Sequence, residues 1–319
     1  MSPEPGQRGS RRPSVSVVVP ARNAAATIGD ALESVARQTL APLEVLVIDD
    51  RSTDSTAAVV EATLPEARRL SGAGSGPSGA RNQGLAEARG DWVAFLDADD
   101  TWHERKLEDQ VTAIARHPGA VMITSDWVRG TPTRQPSEVG ETIFTHAEML
   151  TLNRFQTSTV LARVEVLREL EGFDPALDGA EDWDMWLRAS ARGAIVKLDW
   201  PYVGYRDAAS GYSKDTWRVY SRMLDMLDRE RRAWTGRRAD MDALVAWHHM
   251  RFAVAFFLAR QPRRSREIWS RLVADGLRPA VPRATRRYLL PHLLGRAARR
   301  VNPRLARRLA VPGAPDHAV

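Results

Sequence analysis

The constraint that bears hardest on the fold is an alternation. Over the first 125 residues, short β-branched apolar runs trade places with stretches of helical periodicity. Residues 14–19 (SVSVVV), 43–48 (LEVLVI), 92–96 (WVAFL) and 120–125 (AVMITS) read as strands. Between them, residues 24–38 put Ile28, Leu32, Val35 and Ala36 on one stripe. Residues 55–64 and 78–88 are shorter helices, and 103–117 aligns Leu107, Val111 and Ile114 before Pro118 stops it. Such alternation predicts βαβ units, hence an α/β fold with a mostly parallel sheet and helices on both faces. In such sheets ligands bind beyond the carboxyl ends of the strands. Pro20-Ala21-Arg22-Asn23, Asp49-Asp50 and Asp97-Ala98-Asp99-Asp100 all follow strand ends, so they are expected to converge on one rim.

After residue 126 the pattern weakens. Residues 128–141 read as loop or short hairpin, 157–162 and 194–198 as strands, and 181–192 as a helix between them. From 215 onward the chain reads as mostly helical. Tyr220, Met223, Leu224 and Leu227 share one face, and Leu244, Trp247, Phe252, Phe256 and Phe257 mark a buried helix. The length, 319 residues, suits one large domain or two smaller ones. With no cysteine, disulfides, thiolate metal sites and cysteine nucleophiles are excluded.

The net charge of +6 hides an asymmetry. Residues 1–215 carry 23 Lys+Arg against 32 Asp+Glu, whereas 216–319 carry 23 against 8. Only Lys106, Lys197 and Lys214 are lysines, so codon composition accounts for part of the Arg bias. Residues 1–13 are polar and are expected to form a disordered lead rather than a secretory signal. The longest apolar run of the C-terminal half, Phe252 to Ala259, is far short of the roughly 20 residues of a spanning helix. The expectation is a soluble, cytoplasmic chain, at most held at the inner face of the plasma membrane.

Four clusters carry candidate chemistry. Asp97, Asp99 and Asp100 close an apolar strand, where carboxylates repel one another unless a cation or donors relieve them. Hard oxygen ligands suit Mg²⁺ or Mn²⁺ together with substrate phosphates; the alternative is a cap on the following helix by Asp100 or Thr101. Asp50 ends the second strand, where a carboxylate can accept from a ribose or a base N–H, while Asp54 reads better as a helix cap. Arg81, in GARNQG after a glycine-rich loop, can reach phosphates or a base; its spacing is neither a Walker loop nor the dinucleotide fingerprint. Glu181-Asp182-Trp183-Asp184 opens a helix, where a carboxylate is favoured as the anion and can act as a base. Asp184 reads instead as the partner of Arg188 one turn on.

Together these residues resemble the family 2 glycosyltransferases, whose fold is GT-A. The resemblance rests on VSVVVPARN (15–23), Gln38-Thr39, LEVLVIDDRSTDST (43–56), GARNQGLAEARGDWVAFLDADD (79–100), Gly172-Phe173-Asp174 and EDWDMWLR (181–188), in family order over about 14–206. It implies a Rossmann-like GT-A domain at 14–214, which the chain's own pattern and charge follow with a basic helical region at 215–319. It also implies a nucleotide-sugar donor, a saccharide or lipid-linked acceptor, and transfer with inversion. By position Asp50 would contact the nucleobase beside Pro20 and Arg22, with Arg81 near the nucleotide. Asp97 would approach the ribose and Asp99 would ligate Mg²⁺ or Mn²⁺. Asp182 would be the general base, with Glu181 and Trp183 at the acceptor.

Three positions depart from the family pattern. Arg51 stands where Gly is common, Arg22 where Tyr is common, and Ala208 where a histidine is expected after Tyr205-Arg206. His103, close to the acidic cluster, reads as a surface residue. A nucleotidyltransferase is disfavoured because no Gly-rich loop with a following Lys sits at the first strand; a non-catalytic carbohydrate- or membrane-binding protein with a relict transferase domain is the other alternative. Residues 276–315 hold ten Arg and no acid, interleaved with Tyr288, Leu289, Leu290, Leu293 and Leu294. That stretch suits an anionic membrane surface or a packing element. No nucleic-acid motif accompanies it.

Overall fold

The valine run near the start of the chain becomes the centre of the sheet. In β1 (Val15–Ala21) every residue but Pro20 is buried, the pattern of a strand covered on both faces. Parallel neighbours β2 (Glu44–Asp49) and β4 (Trp92–Phe95) flank it. The computed structural model describes residues 12–132, 137–206 and 215–280. Most of the expected lead at 1–13, and the arginine-rich stretch beyond 280, lie outside the described residues. The remaining strands are β3 (Arg68–Ser71), β5 (Thr101–Trp102), β6 (Ala120–Arg129), β7 (Glu141–Phe144), β8 (Leu161–Arg163) and β9 (Ala194–Tyr205). The order is β3-β2-β1-β4-β8-β6-β9-β5, with β7 pairing β9. β8 runs antiparallel to both β4 and β6, and β5 and β7 run antiparallel to β9.

Side chains of β1 alternate between two cores, as the period of a strand requires. Val17 and Val19 pack with α1 (Ile28–Ala36), α2 (Thr56–Thr63) and α4 (Lys106–Arg116). Val18 faces the other way, toward α3 (Gly76–Glu87), α6 (Val164–Glu169) and α7 (Glu181–Ser190), while the short α5 (His146–Met149) adds Met149 to that second core. A Cβ on Gly84 would lie 2.3 Å from Val18, so glycine there lets α3 settle on β1.

The second core does not end at residue 214. Tyr220, Met223, Met226 and Leu227 of α8 (Thr216–Ala233) belong to it. So do Met241, Phe252 and Phe256 of α9 (Arg238–Leu258) and Ile268 and Leu272 of α10 (Pro262–Ala274), all in one buried cluster with Phe95, Trp183 and Trp186. Asp184, fully buried on α7, is held by Arg188 (2.8 Å), as the sequence spacing implies, and also by Arg229 of α8. Among the described residues no helix is long and apolar enough to cross a membrane.

The structure departs from the sequence expectations at the edges of the sheet and at β8 in its interior. β3 reads RRLS and alternates between intermediate and exposed residues, so it carries no apolar run. β5 is two residues long, and the stretch expected as loop or short hairpin at 128–141 is entered by β6 at its start and by β7 at its end. The strand expected at 157–162 is a 3-10 turn at 157–159 followed by the three residues of β8. Phe257, expected to be buried, is 66 % exposed.

Candidate active site

The sheet's carboxyl edge is organised first by Asp50. Its carboxylate is buried and accepts from the backbone N–H groups of Gly74 (2.7 Å), Ser75 (3.2 Å) and Gly76 (3.0 Å). This wraps the glycine-rich loop around one anion, which is why the loop tolerates no side chain at its closest point. A Cβ on Gly72 would meet Asp50 Oδ1 at 2.7 Å. The resemblance gave Asp50 to a nucleobase; in the structure its carboxylate is occupied by the loop. Pro20 is half-buried in β1, and Arg22 is exposed just beyond it. Asn23 ties the two strand ends together: its side-chain oxygen accepts from the Thr53 N–H at 2.8 Å, and its backbone N–H donates to Ser52 Oγ at 2.9 Å. Arg51 adopts φ 63°, the left-handed region where glycine is at ease, and its side chain lies within 3 Å of where a Cβ on Gly74 would sit.

The loop held by Asp50 delivers α3, and α3 delivers Arg81. That guanidinium is 5 % exposed and reaches two ways: to Asp97 Oδ1 at 2.8 Å and to Glu181 Oε1 at 3.0 Å. Burial alone would lower its pKa; the charges of Asp97, Glu181 and Asp182 outweigh that and raise it. One cation thus joins the acidic end of β4 to the start of α7. The neighbouring Asn82 ties α3 to the chain between α6 and α7, donating to Phe173 O and accepting from Phe173 N–H, both at 2.7 Å. Gly172 makes room for it: φ is 71°, and a Cβ at this position would lie only 2.3 Å from Asn82 Oδ1.

The acidic cluster divides its labour. Asp97 pairs with Arg81, and its N–H donates to Ser158 Oγ at 3.1 Å. Asp100 is 1 % exposed and accepts from Ser158 Oγ–H (2.6 Å) and from the Arg206 N–H (2.9 Å). Burial, then the charge of Asp97, push Asp100 up to about 8. It caps no helix: α4 starts at Lys106 without a side-chain cap. Asp99 is half-buried and lines a cavity of about 530 Å³ with Thr101, Tyr205 and Arg206. No side chain pairs with it among the described residues, and burial together with Asp97 raises its pKa. A lone, half-desolvated carboxylate facing an open cleft fits a hard divalent cation that takes its other ligands from phosphates and water. No group of three metal-binding side chains occurs among the described residues. The position of the expected histidine, Ala208, lies outside them.

On the far side of Arg81 stands Asp182, in the first turn of α7. A helix N-terminus favours its anion, but burial and the charge of Glu181 prevail and push it up to about 7. Asn153 donates to its Oδ2 at 2.9 Å. Asn153 lies between α5 and the 3-10 turn and belongs to no motif read from the sequence, nor does Ser158. Two acceptor assignments change. Trp183 is 2 % exposed, packs at a tilt against His248 with ring centres 5.3 Å apart and donates its indole N–H to Met149 O; it is core, not a pocket wall. Glu181 is buried between Arg81 and the Gly179 N–H, so it braces the guanidinium.

The chain is similar to known proteins over this stretch. The model for "Glycosyl transferase family 2" matches residues 16–169. The amylovoran biosynthesis glycosyltransferase AmsB of Erwinia amylovora is 31 % identical over 60 % of this chain and 69 % of its own length. The UDP-Glc:alpha-D-GlcNAc-diphosphoundecaprenol beta-1,3-glucosyltransferase WfgD of Escherichia coli is 29 % identical over 67 % and 85 %. The succinoglycan biosynthesis protein ExoO of Rhizobium meliloti is 35 % identical over 60 % of each, so the chain spans less than two thirds of that relative. Among solved structures, S. aureus TarS 1-349 in complex with UDP-GlcNAc superposes with a TM-score of 0.60 at 25 % identity, over 76 % of this chain and 73 % of that one. The strand-end carboxylates, the arginine that joins them to α7 and the matches over this same stretch agree: the chain belongs to the family 2 glycosyltransferases.

Proposed function

We propose that this protein transfers a sugar, with inversion, from a nucleoside-diphosphate sugar to a hydroxyl of a saccharide or lipid-linked saccharide in the building of a cell-envelope polysaccharide. The observation that carries the reading is Arg81, whose guanidinium holds Asp97 and Glu181 at once and so fixes the donor edge against the helix bearing Asp182. The acceptor class is drawn from the names of AmsB and WfgD, the donor class from the TarS complex.

The donor's nucleotide lies across the ends of β1, β2 and β4, beside Pro20, Arg22 and the loop that Asp50 shapes. Asp97 faces the ribose side. Asp99 would hold Mg²⁺ or Mn²⁺, which when bound offsets charge gathering on the departing diphosphate. Asp182 takes the proton of the acceptor hydroxyl as that oxygen bonds to the anomeric carbon. The bond from that carbon to the diphosphate oxygen breaks, and the nucleoside diphosphate leaves with the electron pair. Attack opposite the leaving group inverts the centre. A carboxylate whose pKa is raised by burial and by Glu181 is a stronger base than an ordinary one.

The test is turnover of a panel of nucleotide sugars with Mn²⁺ or Mg²⁺, with donor binding followed by thermal shift. One donor should stabilise the protein and be hydrolysed or transferred, and Asp99→Ala should remove turnover. If no donor binds or turns over, and Asp99→Ala changes nothing, the non-catalytic reading stands instead.

A further inference from the structure

The hairpin of α9 and α10 is unusual among the described residues in what it leaves uncovered. Seven large apolar side chains are strongly exposed, and five of them, Val254, Phe257, Leu258, Trp269 and Val273, belong to these two helices. Phe257 and Leu258, 66 % and 67 % exposed, stand at the hairpin tip, next to the tight turn at Arg260 (φ 59°). An aromatic and an aliphatic side chain held in water at one tip forgo the burial that draws apolar side chains into a core. The inner faces of the same helices are fully used, with Phe252, Phe256, Ile268 and Leu272 buried in the core. The tip is therefore an outer surface on a well-packed base, not a loosely folded end.

Charge decides what covers it. Arg260, Arg263 and Arg266 surround the tip, all exposed and without an acidic partner among the described residues. The acids of α10 and the residue after it are placed elsewhere: Glu267 pairs with Arg271, and Asp275 lies 3.7 Å from His249. Residues 281–319 carry nine Arg and one Asp, so they share the sign of the tip and offer it no charge complement. A second copy joined tip to tip would set arginine against arginine. A surface that is apolar within and anionic at its face satisfies both parts, with apolar side chains entering the acyl boundary and arginines meeting headgroups.

We infer that the α9–α10 tip, led by Phe257 and Leu258, docks this protein on an anionic lipid bilayer. The inference stands on the hairpin alone and does not depend on the sugar-transfer reading. It also places membrane contact within the folded helices rather than only in the arginine-rich stretch from 276 to 315.

Flotation of the full-length protein with phosphatidylglycerol-containing vesicles, and with phosphatidylcholine vesicles as control, tests it. The native protein should float with the anionic vesicles only, and rising salt should release it. Phe257→Ser with Leu258→Ser should weaken binding roughly tenfold or more with an unchanged melting curve. Arg260→Gln with Arg263→Gln should weaken it as well. Leu43→Ser, which removes an exposed apolar side chain outside the hairpin, should bind like the native protein. Failure of the native protein to float overturns the inference. So does native-like floating of the Phe257/Leu258 variant, which would give the binding to the arginine-rich stretch. A native dimer in sedimentation that this variant dissolves, without lipid binding, would make the tip an interface between copies instead.

Discussion

Arg81 is the side chain on which the site turns, and its loss should act at two levels. Replacing it with Met leaves a buried Glu181 and a half-buried Asp97 without their cation, a loss of about 3 kcal/mol that urea unfolding would register. Arg81→Lys keeps the charge but not the fork, so it cannot serve both carboxylates at their present distances. The folded variant should transfer sugar about a hundredfold more slowly. Asn153 bears on the pH profile. Its N–H favours the ionised form of Asp182, so Asn153→Ala should move the acidic limb of the rate profile upward from about 7, by about one pH unit. The same elevated pKa has a sign for stability. Asp182 binds its proton more tightly folded than unfolded, so its contribution is full below the ordinary carboxylate range and is lost as pH climbs through about 7. Much of this site could be read from the sequence. Asp97, Asp99, Arg81 and Asp182 lie in runs whose charge is costly beside apolar strands and helices unless it is used. Asn153 and Ser158 could not, because a neutral polar residue in a loop signals nothing until the fold brings it within 3 Å of a carboxylate.

At the scale of elements, backbone conformation explains a departure that side-chain chemistry left open. Arg51 occupies a left-handed turn after β2, the place where the family commonly has glycine. Arg51→Gly should therefore stabilise the fold by about 1 kcal/mol in a thermal melt; an unchanged or lower melting temperature would contradict this. Gly172→Ala should do the reverse and cost about 1–3 kcal/mol, since it combines a left-handed φ with a collision against Asn82. The central strands were legible because burial on both faces demands unbroken apolar runs. β3 and β5 were not, because a short edge strand needs only backbone partners and one covered face.

For the whole molecule, the charge boundary near 215 is not a boundary in the core. Trp183 on His248, Arg229 on Asp184 and the shared cluster from Phe95 to Leu272 bind α8–α10 to the helix that carries Asp182. A chain stopped at residue 214 should therefore fail to give a soluble, cooperatively melting domain; a sharp, native-like melt would show that the catalytic half stands alone. The sequence divides the chain by the sign of its charge, and the structure joins it by what lies beneath the arginines. Whether the cleft joined by Arg81 transfers sugar with Asp182 as base is tested most directly by measuring transfer and donor binding side by side in Asp182→Asn. Donor affinity should stay within about threefold of native while transfer falls by roughly a thousandfold or more. Transfer at near-native rate in that variant would contradict the assignment of Asp182 as the base.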